Sequence, residues 1–126
     1  ERCGKILNRH RKALNGSRVL VLGVAYKQDI DDYRESPALR VIEELEKTGA
    51  SVTFYDPYIA EFRYHGKSHK GEAALSAGLL RNTDLVVVTA AHTNVDYDFV
   101  QRYAHAVFDT KNVMKAVAVR TNIEVL

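Results

Sequence analysis

The sequence predicts an α/β fold: a three-layer sandwich in which helices cover both faces of a mainly parallel sheet of about five strands, preceded by an N-terminal helix. Three observations carry this prediction. Apolar, β-branched runs at Val19 to Ala25 and Leu85 to Val88 alternate with segments of helical periodicity. Both runs are continuously apolar, as strands buried on two faces are, where a half-exposed strand would alternate. The first run is joined to Ser51 to Tyr55 by a segment opening on Ser36-Pro37, and strand, helix, strand implies a right-handed crossover between parallel neighbours.

Taken in order, Cys3, Leu7, His10 and Leu14, with Ile6 beside them, form a helical stripe that begins at the first turn. The stripe has no capping residue before it and the first residue is Glu, so residues 1–16 are expected to be the end of a connecting helix from an upstream region, with the domain proper over 17–126. Asn15-Gly16 is a turn signal, and Arg18 to Ala25 is the first strand. Ser36 suits an N-cap and Pro37 the first helical position. Ala38, Val41, Ile42 and Leu45 then define a buried face, and Gly49 stops the helix. Beyond the strand Ser51 to Tyr55, a polar loop is expected from Asp56 to Lys70 and a short helix over Glu72 to Arg81. Asp84 to Ala90 is a strand, Val95 to Tyr103 a helix and Ala106 to Phe108 a short strand. Ala118 to Arg120 and Ile123 to Leu126 are weaker extended pieces.

At 126 residues the chain suffices for one core without staples, and its 46% apolar and 27% charged content is that of a globular protein. One cysteine excludes an intramolecular disulfide framework, which predicts a reducing compartment, the cytoplasm. No apolar run reaches membrane-spanning length, so no membrane partner is expected. A net charge of +2 makes no case for nucleic acid.

The loop from Tyr26 to Glu35 leaves the carboxyl end of the first strand and runs to a helix N-terminus, where open α/β sheets bind anionic ligands. Gly23-Val24-Ala25-Tyr26-Lys27 has neither the GxGxxG nor the Walker A glycine spacing, so the usual pyrophosphate cradle is missing. Lys27 beside Tyr26 offers a point charge next to a stacking surface, suited to a nucleotide diphosphate and base, or is an ordinary solvated charge. Arg34 is placed either to share an anion with the helix amides or to pair with Asp31, Asp32 or Glu35. Lys111 follows another strand at the same sheet edge, and two cations facing one crevice strengthen the phosphate argument. Asp56 reads better as a strand-ending Asp-Pro turn than as a ribose binder. His65 and His69 lack a third metal ligand, His92 reads as structural, and Cys3 has no nucleophile environment, so neither a metal site nor a catalytic residue is assigned.

With Leu22-Gly23-Val24-Ala25-Tyr26-Lys27, Asp29-Ile30-Asp31-Asp32, Arg34-Glu35-Ser36-Pro37-Ala38, Gly49-Ala50, Tyr55-Asp56-Pro57, Thr89, His92, Asp96-Tyr97 and Asp109-Thr110-Lys111-Asn112, the chain resembles the C-terminal UDP-binding domain of the UDP-glucose/GDP-mannose dehydrogenases. The Ala-Tyr-Lys and Asp-Ile-Asp-Asp details look most like the UDP-N-acetylglucosamine 6-dehydrogenase branch. The resemblance implies a Rossmann-like domain of an enzyme that oxidises a sugar C6 alcohol to a carboxylate with two NAD. It further implies an NAD-binding domain, a central domain and a catalytic cysteine, all outside this chain, in a homo-oligomeric parent. Tyr26 and Lys27 are then expected to line the UDP pocket, Arg34 to face NAD, and Lys111 to stand where the family usually has arginine. The alternative is a free-standing nucleotide-binding regulatory or structural module without catalysis.

Overall fold

A computed structural model describes residues 2–126. Glu1, the first residue of the expected connecting helix, lies outside the described residues. Helix α1 (Arg2–Arg9) precedes β1 (Arg18–Leu22), α2 (Pro37–Lys47) and β2 (Ser51–Tyr55). A hairpin of β3 (Glu61–Tyr64) and β4 (Lys67–Lys70) follows, then α3 (Ala77–Arg81), β5 (Leu85–Val88), α4 (Tyr97–Tyr103), β6 (Val107–Asp109) and β7 (Ile123–Val125).

The main sheet has five strands in the order β2-β1-β5-β6-β7, and every pairing in it is parallel. Its two faces are packed separately. Val19 and Val21 of β1 join α1 and α2, whereas Leu20 and Leu22 join α3 and α4. The continuous apolar run of β1 is therefore the consequence of burial on both sides. With the hairpin set aside, the chain leaves β1 in one direction to reach β2 and returns to its other side for β5. The order thus reverses between β1 and β5, and the crevice outside the carboxyl ends there is where sheets of this topology bind ligands.

The α2 start is as expected: Ser36 has extended backbone, its Oγ accepts from the Ala38 N–H, and Pro37 is the first helical residue. Of the expected buried face, Ala38, Ile42 and Leu45 are buried, but Leu39 takes the place of Val41, which is half-exposed beside a gap between α1 and α2. Five other expectations are corrected, the first being the helix expected over Glu72 to Arg81, which starts only at Ala77 after the Ser76 cap. The first strand ends at Leu22, because Gly23 turns the chain at φ +94°, although Val24 and Ala25 stay buried. Helix α1 ends at Arg9, so His10 and Leu14 lie beyond it. The polar Asp56 to Lys70 stretch contains the β3-β4 hairpin, with positive φ at both turn residues, 49° at His65 and 77° at Gly66, the backbone of a tight hairpin turn. Ala118 to Arg120 is not a strand.

The hairpin is anchored from both sides. Phe62 enters the core against Phe54 and Tyr33. His65 and Lys67 reach Glu43 and Glu46 of α2 at 2.7 and 3.3 Å. His65 sits in the turn and His69 opposite Phe62, and no cluster of three or more metal-ligating side chains occurs among the described residues.

Candidate functional site at the carboxyl edge of the sheet

Two loops meet at the switch point, one after β1 and one after β5. Gly23 opens the first. A side chain there would place a Cβ 2.6 Å from the Ala90 Cβ and 2.9 Å from the Ala90 backbone nitrogen, so only glycine lets the loops approach this closely. Val24 and Ala25 follow, and both of their N–H groups donate to Oδ2 of Asp56, at 2.8 and 3.1 Å. Oδ1 of the same carboxylate accepts from the Tyr58 N–H at 2.8 Å, which is the Asp-Pro turn read from sequence. Buried and with both oxygens engaged inside the protein, Asp56 is an organiser of the loop.

His92, on the loop after β5, is 1% exposed. Its Nδ1 lies 2.7 Å from the backbone nitrogen of Asp29, and since an amide can only donate, Nδ1 is the unprotonated ring nitrogen. Nε2 therefore carries the hydrogen and donates to Asp56 Oδ2 at 2.8 Å. Asp29 is bound a second time through its side chain, which accepts from the Thr93 N–H and the Thr93 hydroxyl, each at 2.8 Å. The Thr93 N–H, followed by its hydroxyl, holds the Asp29 carboxyl below its ordinary value. Tyr97 completes the support by donating its hydroxyl to the His92 carbonyl at 2.7 Å, and burial pushes that phenol up.

Between these anchors Tyr26 and Lys27 stand out from the surface. Tyr26 is 49% exposed, and the Lys27 ammonium lies 5.9 Å from the centre of its ring, so the two make one composite face of cation and aromatic. Arg34 is also exposed. Its guanidinium donates from Nε and Nη2 to Asp32, at 3.0 and 3.1 Å, one of the ion pairs open in the sequence. The pair keeps the Asp32 carboxyl low and the Arg34 guanidinium high. The helix amides are occupied too: Ala38 N–H bonds the Ser36 hydroxyl and Leu39 N–H the Ser36 carbonyl. Side chains of the loop, more than the α2 terminus, are therefore what this edge offers an anion.

Lys111 follows β6. Asp109, fully buried, orders its turn by accepting the N–H groups of Lys111, Val113 and Met114. The Lys27 and Lys111 strands are not neighbours, because β5 lies between β1 and β6. Lys111 lines a cleft of about 460 Å³ between α1 and α2, with Thr89, Thr110 and the start of α2, and neither Tyr26 nor Lys27 lines that cleft. The two cations thus follow strands on either side of β5 at one edge of the sheet. Cys3 lies in the core at the first turn of α1, where burial pushes its thiol up, the reverse of a nucleophile's environment.

The chain has known relatives. Residues 20–116 match the family described as the UDP-glucose/GDP-mannose dehydrogenase family, UDP binding domain. The chain belongs to that family. It is 35% identical over 105 residues to the UDP-N-acetyl-D-mannosamine dehydrogenase of Methanocaldococcus jannaschii, a match covering 77% of this chain and 23% of the relative. It is 39% identical over 82 residues to the UDP-glucose 6-dehydrogenase AglM of Haloferax volcanii, covering 65% of this chain and 19% of that protein. The crystal structure of the NDP-N-acetyl-D-galactosaminuronic acid dehydrogenase of Methanosarcina mazei superposes with a TM-score of 0.75 at 28% identity, over 97% of this chain and 26% of that one. The UDP-binding domain thus spans about a quarter of the length of the relatives it matches. These three relatives are named for three different sugars, and none for N-acetylglucosamine, so the family is established and the glucosamine branch is not.

Proposed function

We propose that this domain holds the uridine diphosphate half of a UDP-sugar within a larger NAD-dependent dehydrogenase that oxidises the sugar C6 alcohol to a carboxylate. Residues 1–16 are the end of the segment connecting it to NAD-binding and central domains, and 17–126 are the UDP-binding unit. The observation that carries the reading is the exposed Tyr26-Lys27 pair, presented at the switch point by a loop whose backbone is tied down on both sides. Among sugars, an N-acetylhexosamine is supported by relatives named for UDP-N-acetyl-D-mannosamine that align with 77% and 90% of this chain. They favour mannosamine over the glucosamine expected from the sequence.

Going from alcohol to carboxylate removes four electrons, which two NAD molecules bound by the other domains would take up as one hydride each, with water supplying the second oxygen. The residues of this chain act at a distance from that chemistry. Lys27 supplies a charge-assisted bond to the diphosphate, Tyr26 an aromatic face for the base, and Lys111 a second point charge where the family's arginine would give a bidentate fork. Binding energy gathered on the diphosphate is remote from C6 and serves to orient the sugar and favour closure of the domains over it. Toward NAD the chain offers one group, Arg34, whose side chain is 84% exposed and able to exchange Asp32 for a phosphate. The NAD site itself, like the catalytic cysteine, belongs to the other domains.

Calorimetric titration of UDP into the intact protein tests the reading. Lys27→Ala is expected to weaken UDP by about 1.5–3 kcal/mol, the range for a hydrogen bond to a charged group. Unchanged affinity removes Lys27 from the site. Tight UDP binding by residues 17–126 alone would favour the free-standing module.

A further inference from the structure

We propose that His92 is a positioning residue for UDP binding: by accepting the Asp29 N–H it holds the β1-α2 loop in the conformation that presents Tyr26 and Lys27. The role rests on the UDP reading above and assigns the loop's geometry to a buried side chain. Besides the bonds of the Tyr26 N–H to the Asp32 carbonyl and of the Ser36 hydroxyl to the Ala25 carbonyl, two anchors flank Tyr26 and Lys27. The upstream anchor is the Asp56 carboxylate on the Val24 and Ala25 N–H groups, and the downstream anchor is the bond from the Asp29 N–H to the ring. His92 joins them, since its Nε2–H bonds the same Asp56 oxygen that receives Val24 and Ala25.

The downstream anchor works against backbone strain. Asp29 has φ +60°, a left-handed conformation that costs a residue with a Cβ about 1–2 kcal/mol, so the loop relaxes elsewhere unless something holds it. The ring nitrogen and the two Thr93 bonds supply that hold, all three from the loop after β5. The ring is itself fixed: it is buried, stacks at a tilt 4.9 Å from Tyr58, and its backbone carbonyl receives the Tyr97 hydroxyl. Its position at the junction of the β1 and β5 loops makes it, with Thr93, a point through which the β5 side of the switch point holds the β1 side.

Two substitutions separate positioning from packing. In His92→Asn the amide oxygen stands near the place of Nδ1 and keeps an acceptor for the Asp29 N–H, while Asp56 retains its three backbone donors. In His92→Gln the amide reaches the place of Nε2, keeping the bond to Asp56 and leaving the Asp29 N–H without its acceptor. UDP titration of the intact protein is expected to give His92→Asn an affinity within about twofold of the parent, and His92→Gln a loss of about three- to tenfold, the equivalent of one hydrogen bond. Hydrogen exchange over residues 24–32 should speed up in His92→Gln and stay near the parent's rate in His92→Asn. Equal effects of the two variants on both measurements, whether none or large, would overturn the proposal in favour of simple packing. Lys27→Ala serves as the control: if it leaves UDP affinity unchanged, Lys27 is not in the UDP site, and the exchange contrast still decides whether His92 holds the loop.

Discussion

Replacing Asp56 should destabilise this protein more than its position after an edge strand suggests. Its carboxylate is buried and accepts four hydrogen bonds: from the Val24 and Ala25 N–H groups, from His92 Nε2, and from the Tyr58 N–H. In Asp56→Ala the first three donors are left in a buried setting, and at about 1–3 kcal/mol for each unsatisfied buried group the cost reaches about 3–9 kcal/mol, less whatever water and loop relaxation recover. Set against a typical domain stability of about 5–15 kcal/mol, that variant approaches unfolding. Asp56→Asn is the more informative change. Its one oxygen can serve either the three donors or Tyr58, and its amide then faces an N–H, so it forfeits one bond and the charge assistance of the others, about 1.5–3 kcal/mol. Urea unfolding at neutral pH reads this as a lower midpoint with an unchanged slope. If both variants unfold within about 0.5 kcal/mol of the parent, as surface substitutions do, the carboxylate is not what fastens the β1 loop to β2 and the β5 loop.

Two further outcomes follow from the same edge. Gly23→Ala must accept φ +94° and a Cβ 2.6 Å from the Ala90 side chain, so strain and overpacking together should cost at least about 2 kcal/mol in denaturant unfolding; a loss under about 0.5 kcal/mol would mean the two loops part easily. The Thr93 N–H and hydroxyl keep the folded Asp29 carboxyl below 3.8, so its contribution is full above that value and is lost as pH falls through the lower folded value. The stability gap between the parent and Asp29→Asn should therefore be constant down to about pH 5 and close as the medium is acidified below about pH 4; a gap that persists at the acid end would show that the bonds do not depend on the charge.

Much of the fold was legible because its signals are local. Ser36-Pro37, the Gly49 stop and the β-branched runs act within a few residues, and α2, β2 and β5 lie where those signals put them. The hairpin was not legible: its strands are short and mostly polar, and what makes them strands is the insertion of Phe62 between Phe54 and Tyr33, a contact the sequence does not display. Val41 was expected inside by periodicity, but which part of a helix is covered depends on where its neighbour lies, and α1 leaves that residue beside a cleft.

The site divides in the same way. From sequence alone come the polar loop after a buried strand, the Tyr26-Lys27 pair, the missing glycine fingerprint and the family resemblance, because each is a property of adjacent residues. The tertiary structure decided the rest: that Arg34 pairs with Asp32, that β5 separates the strands of Lys27 and Lys111, and that Asp56, His92 and Asp29 form one network. Those three residues are 27 to 63 positions apart in the chain, as Asp29 to Asp56 and Asp29 to His92. Hydrogen bonds at such separations exist only once parallel strands bring their loops to one edge, so no local pattern could have announced them.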